Sequence, residues 1–246
     1  MKGMTRQAAG ALAALAVLLA GAGTVRADDH FVSELRRSYM GRTYPPRPSE
    51  VWLGADRVHV RDGPVIVITR HDLKKRWVIL PDRKRYLEEP LAGSPGKTEA
   101  PAPVRLQEYG FDYAPAYEWT VRETPETATV GGLLCRKVVA RGDAEYAGEV
   151  RELWVAGSPP VDVKAYFERV VKPNLDEAWS RIYQGHGLLK NGIIMKSVTT
   201  TEPAIAPATV TEIQVMKLEK AAPPEKIYDL PEGLRKVSTR AELYAR

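Results

Sequence analysis

The sequence predicts an α+β domain built on a large antiparallel sheet, and three observations carry that expectation. Residues 49–89 crowd four or five short runs, apolar or alternating, between turn signals, as a meander does. Two further strand-like regions follow, over 133–156 and 193–219. Between them the apolar period changes to three and four residues, over Val161–Val171 and again over Leu175–Ile182, which is helical spacing.

Each segment adds to this in turn. Lys2 and Arg6 precede an apolar run from Ala8 to Ala22, shorter than the ~20 residues of a membrane span. Val25-Arg26-Ala27 then places small residues where a signal peptidase reads. Residues 1–27 are therefore expected to be a signal peptide cleaved after Ala27, and the mature chain to be periplasmic. A helix is predicted from Asp28 to about Met40, because Asp28 and Asp29 can cap it and Phe31, Leu35 and Tyr39 recur every four residues. Pro45, Pro46 and Pro48 hold the next stretch extended. In the meander, Val58 and Val60 alternate with Arg57, His59 and Arg61, the pattern of a strand with one wet face. After Asp62-Gly63, Pro64–Thr69 is apolar on both sides and should be covered on both. Arg76–Leu80 repeats this beyond the His71-Asp72 turn, and Pro81-Asp82 leads into a strand over 85–88.

Residues 90–103 are rich in Pro, Gly and Ala and read as a surface loop long enough to act as a lid. Tyr109, Phe111, Tyr113 and Tyr117 follow, either packed under that loop or set at a pocket mouth. A strand starts at Trp119, and Gly131-Gly132 turns the chain into a hairpin of 133–140 with 149–156. Pro173 ends the first helix, and Gly185-His186-Gly187 stops the second. Strands resume over 193–201 and 208–219. Ile227, Tyr228 and Leu230 then tuck in before a Pro231-Glu232-Gly233 turn. Residues 241–246 read as a frayed tail, which leaves 28–240 as one domain.

Composition narrows the function classes. The formal net charge of +5 falls to +2 when Lys2, Arg6 and Arg26 leave with the signal peptide, and that balance argues against a nucleic-acid partner. A single cysteine permits no internal disulfide, and its place in a strand marks Cys135 as a buried, inert thiol. His30, His59, His71 and His186 show no ligand or triad spacing with carboxylates or with Cys135. His71-Asp72 reads as turn chemistry, and Gly131-Gly132 precedes a strand where a phosphate loop would precede a helix. The expectation is a protein that is not an enzyme, with no metal and no cofactor. Lys74-Lys75-Arg76 and Arg83-Lys84-Arg85 lie at opposite ends of one strand or its hairpin, as solvated turns or as contacts for anionic headgroups.

Several segments together resemble a family of exported bacterial proteins of unknown function, similar to periplasmic lipoprotein carriers and related lipid binders, the LolA-like half-barrels. They are VWLGADRVHVRDG and WVILPDRKRYLE in the meander, TATVGGLLCRKVVARG leading into RELWVA, and TEIQVMKLEKAAPPEKIYDLPEGLRKV near the end. The chain departs at Leu234, where the family often has an aromatic residue, and in the insert 90–103. The resemblance implies a strongly curved antiparallel sheet, an incomplete barrel whose apolar concave face is covered by helices. With that curvature, Trp52, Val58, Val60, Trp77, Ile79, Trp119 and Trp154 are candidates to line an apolar cleft. Trp77 and Ile79 share one strand face and Val78 and Leu80 the other; the sequence leaves open which looks inward. The implied function is non-catalytic binding of a lipid, a lipoprotein acyl chain or another apolar ligand by a monomer in transient contact with the envelope. The alternative is an envelope scaffold whose core is filled by Phe31, Leu35, Phe167 and Trp179.

Overall fold

The structure, a computed structural model, describes residues 27–91, 118–144, 147–203 and 206–245. The chain opens in β1 (Asp28–Tyr39), followed by a two-residue β2 (Arg42–Thr43), then β3 (Arg47–Leu53), β4 (Arg57–Asp62), β5 (Val65–Arg70), β6 (Lys75–Leu80) and β7 (Arg85–Pro90). A second meander comprises β8 (Glu118–Val130), β9 (Leu133–Ala144) and β10 (Ala147–Ala156). One turn of helix, α1 (Val163–Tyr166), widens into a π-helical turn over Phe167–Val171 and is followed by α2 (Glu177–Gly185) and α3 (Gly187–Asn191). Next come β11 (Ile193–Pro203), β12 (Thr209–Ala221), β13 (Arg235–Val237) and α4 (Arg240–Tyr244).

All the strands belong to one sheet, in the order β13-β7-β6-β5-β4-β3-β1-β12-β11-β10-β9-β8, with β2 paired to β1. Every pairing is antiparallel except that of β13 with β7. The sheet is curved and its two ends do not meet, so the α+β half-barrel expected from the sequence is the observed architecture.

The predicted N-terminal helix is instead β1, which joins the two meanders by pairing with β3 on one side and β12 on the other. A four-residue spacing puts Phe31, Leu35 and Tyr39 on one face of a helix and equally on one face of a strand. Asp28 and Asp29 cap nothing. Asp28 accepts a hydrogen bond from the Tyr228 hydroxyl at 2.6 Å. Asp29 accepts one from Lys220 at 2.6 Å and one from the backbone N–H of Asp162 at 3.2 Å. Asp162 in turn caps α1 through Ala165 N–H at 2.9 Å, so the start of the sheet fixes the start of that helix.

Residues directly opposite one another across paired strands share a face. Following that register from Phe31 assigns Val51, Leu53, Val58, Val60, Val67 and Val78 to one side and His30, Trp52, His59, Ile68, Trp77 and Ile79 to the other. The first side is the inner, helix-covered face. Val163 and Tyr166 of α1 pack on Phe31, Leu53 and Val58, and the Tyr166 ring stacks on Phe31 with centroids 4.5 Å apart. Ile182, Tyr183, Leu188 and Leu189 of α2 and α3 pack on Val138, Ala140 and Leu153. Leu243 of α4 packs on Val65, Val78, Leu80 and Leu87.

Residues 241–246 are therefore not a frayed tail over their described part. Leu243 is fully buried, Thr239 caps α4 through Glu242 N–H at 3.1 Å, and Arg85 donates to the carbonyls of Glu242 and Ala245 at 2.9 and 2.8 Å. Arg83 also holds the Tyr244 carbonyl. The basic cluster 83–85 thus serves to grip the C-terminal helix, and Arg76 of the other cluster is buried against Glu89.

On the outer face, the segment after β12 crosses back over the sheet to reach β7. Leu230 and Leu234 lie on Ile68, Trp77 and Ile79, and Tyr228 is buried beneath the Arg57 guanidinium, 4.6 Å from its ring centroid. Both faces of β5 and β6 are covered, as the doubly apolar Pro64–Thr69 and Arg76–Leu80 required. His59 departs from the expected wet strand face, being only 7% exposed.

Candidate functional site

Helices α1 to α3 and α4 leave an uncovered strip of the inner face between them among the described residues. Its floor is read from the register. Leu35 of β1 lies opposite Ile213 of β12, which lies opposite Ser197 of β11 and then Leu153 of β10. One step along each strand on the same face is a second row, Arg37, Thr211, Thr199 and Arg151. Ile213 is 40% exposed, and Leu35, Val60 and Val67 are half-buried. A large apolar side chain left open on a concave face is what a ligand floor requires.

The two rows differ in chemistry. Leu35 and Ile213 offer apolar surface, while Val60 and Val67 belong to the row of Phe31 and Val51, packed against the clusters under α1 and α4, with Arg47, Ser33 and Ser49 between that row and Leu35. The second row ends in two guanidiniums, Arg37 and Arg151, with threonines between them. Arg151 is 7% exposed and packs against two indoles, with its guanidinium carbon 4.2 Å from the ring centroid of Trp179 on α2 and 4.8 Å from that of Trp119 on β8. Its Nε donates to Glu149 at 2.5 Å, while its Nη1 is buried without a hydrogen-bond partner among the described residues. Gly142 permits the Trp119 placement, since a Cβ there would come within 2.9 Å of the indole.

The seven residues proposed from the sequence do not form one lining. Val58, Val60 and Trp119 are on the inner face; Val58 is buried under α1 and Trp119 covers Arg151. Trp52, Trp77 and Ile79 are on the outer face. Trp77 donates its indole N–H to Glu88 at 2.9 Å and lies under the C-terminal segment with Ile79. Trp154 sits at a bulge in β10 with the Lys137 ammonium 5.5 Å from its ring centroid. Tyr109, Phe111, Tyr113, Tyr117 and most of the loop 90–103 lie outside the described residues. Leu35, Ile213 and Arg151 were not among the seven. The signal for Arg151 was present in β10, where Glu149 and Arg151 interrupt the apolar alternation that Leu153 and Val155 continue.

A polar cluster occupies the outer face of the central strands. The His30 ring stacks on Trp52 at 3.9 Å, and its two nitrogens lie 2.9 Å from Glu50 and 3.3 Å from Glu219. Burial works to raise the Glu50 carboxyl, but hydrogen bonds from Trp52 and His30 outweigh it and hold the group below the usual carboxylate range. His59 lies opposite Trp52; its Nδ1 is buried without a partner among the described residues, and burial lowers its pKa. Among the described residues no group of three or more His, Cys, Asp or Glu side chains is arranged to hold a metal ion. Cys135 is fully buried, with its thiol pushed up by burial.

Two open hollows of about 330 Å³ lie elsewhere on the surface. One is over Thr120, Arg122, Val139 and Arg141, and the other is ringed by Asp28, Asp29, Asp162, Arg169 and Lys220 at the edge of α1. Neither is on the floor.

No family model and no curated protein matches the chain. Solved structures do. A DUF1329 family protein from Desulfovibrio piger aligns at 14% identity over 92% of this chain and 98% of its own, with a TM-score of 0.31. A domain described as an outer membrane lipoprotein-sorting protein from Vibrio parahaemolyticus aligns at 12% identity over 89% and 95%, also at 0.31. A LolA superfamily protein from Nitrosomonas europaea aligns at 10% identity over 83% and 91%, at 0.30. Among the described residues no helix is long and apolar enough to cross a membrane.

Proposed function

We propose that the chain is a non-catalytic periplasmic protein that binds an apolar chain along the inner face of its half-barrel, as a carrier of a lipid or acyl group. The observation that carries this reading is the open strip at Leu35 and Ile213 between two helix-covered regions. Magnitudes set what such a floor can do. A chain of ~10 methylenes buried on one side only gains roughly half of ~0.8 kcal/mol each, about 4 kcal/mol in all. That corresponds to a dissociation constant of about 1 mM, so useful affinity needs a further contact to the ligand.

The second reading is a scaffold with a filled core. It is favoured by the close packing under α1 to α3, where Tyr166, Tyr183, Ile182 and Leu189 occupy the space between helices and sheet. Native mass spectrometry of protein purified from periplasm separates the two. Co-purifying lipid, and displacement of an apolar fluorescent probe by a medium-chain amphiphile, support the carrier. A ligand-free spectrum together with a silent probe would leave the scaffold.

A further inference from the structure

Resting on the carrier reading above, we infer that the floor selects amphiphiles with an anionic head, and that Arg151 is the residue that recognises the charge. Three features of the site point there. The guanidinium is almost wholly out of water, so a partner gains from an interaction that solvent does not screen. Glu149 occupies Nε only, while Nη1 is left with donors that meet no acceptor among the described residues. A buried donor without an acceptor is a cost to the empty protein that an incoming carboxylate or phosphate oxygen removes. Finally, the indoles of Trp119 and Trp179 both pack against the guanidinium, which restricts the fork so that little side-chain entropy is lost when it is used.

Position fits the same ligand. Arg151 lies opposite Thr199, and Thr199 opposite Thr211, which is one step along β12 from Ile213. At ~4.8 Å between strands and ~3.4 Å per residue, an anion at Arg151 is about 12 Å from Ile213. A chain running from that head passes the hydroxyls of Thr199, Thr211 and Ser197 before it reaches the apolar surface of Ile213 and Leu35. A neutral hydroxyl can accept from Nη1 but brings no charge to the guanidinium, so it gains less than an anion does.

The test compares dodecanoate with 1-dodecanol on the full mature chain, by displacement of an apolar fluorescent probe at neutral pH. The wild type is expected to bind dodecanoate about ten- to hundredfold more tightly, the range of one charge-assisted hydrogen bond. Arg151→Gln is expected to abolish that preference, and Arg151→Lys to retain part of it. Equal binding of the two ligands by the wild type would overturn the inference and leave the carrier reading standing. Binding of neither would remove both. An Arg151→Gln protein that folds and keeps the preference would also overturn it. The wild-type comparison does not depend on how any variant folds.

Discussion

Replacing Leu243 with alanine tests whether the C-terminal helix belongs to the core. Leu243 is fully buried against Val237 of the neighbouring β13 and against Val65, Val78, Leu80 and Leu87, on strands more than 150 residues earlier in the chain. Leu→Ala removes three carbons, worth ~2.4 kcal/mol at ~0.8 kcal/mol each. The unfilled space adds to that, so a loss of about 3 to 4 kcal/mol is expected, inside the usual range for such deletions. With a urea dependence near ~3 kcal/mol per molar, the unfolding midpoint should fall by about 1 M. Urea titration followed by tryptophan emission reads this directly, since Trp77 lies on the strand next to β7. Tyr244→Ala is the control: that side chain is 45% exposed and should move stability by less than ~0.5 kcal/mol. If the two variants behave alike, residues 240–244 do not dock, and the packing assigned to α4 is wrong.

Three further outcomes are expected. His59 is a buried base whose folded pKa is lowered by burial, so its contribution to stability is whole above the unfolded value near 6.5 and is lost as pH falls below it; His59→Phe should flatten the decline in urea midpoint between pH 7 and 5. Glu88 is held at about 2, chiefly by the Trp77 indole N–H and then by Lys236, so its share is present above ~4.5 and lost as pH falls toward 2. Trp77→Phe should raise the Glu88 pKa by NMR titration, and an unchanged value would contradict the hydrogen bond. Cys135, fully buried with its thiol pushed up, should react with a thiol reagent only at the rate of unfolding; fast labelling of the native protein would place it elsewhere.

The strands of both meanders were legible because turn pairs such as Asp62-Gly63 and Gly131-Gly132 bound short runs of β-branched residues. The positive φ of Gly63, Gly131 and Gly132 is the physical content of that signal. Residues 28–40 misled because an even spacing of apolar positions satisfies two periods at once, and only the free edges of β3 and β12 decide between them. Face was the other hidden quantity. Trp77 and Ile79 point outward and Val78 and Leu80 inward, a choice fixed by which segment covers each side, not by anything within β6. The same reason separates Trp52 and Trp77 from the cleft assigned to them. Arg151 was readable only as a break in alternation, since its value depends on Trp119 and Trp179, which register and the α2 docking bring to it.

The way the sheet is assembled sets its two sides apart. β1 is the single bridge between β3–β7 and β8–β12 among the described strands, and its pairing with β12 joins residues about 190 positions apart. Contacts of that range are costly to form, whereas the pairing of β1 with β3 is local, and the floor needs both. Leu35 and Ile213, the two apolar residues at its centre, come one from each side of that joint. On the outer face the C-terminal segment covers one end of β1 and the strands beyond β3: Tyr228 bonds Asp28, Arg70 reaches the Tyr228 carbonyl at 3.4 Å, and Leu230 and Leu234 cover β5 and β6. The chain thus uses its own C-terminal segment to bury one side of the central strands and leaves the other side to α1 to α4, which do not meet over Ile213. An apolar chain docking at that gap would touch strands from both halves, and by binding only the joined sheet it would stabilise β1 in place.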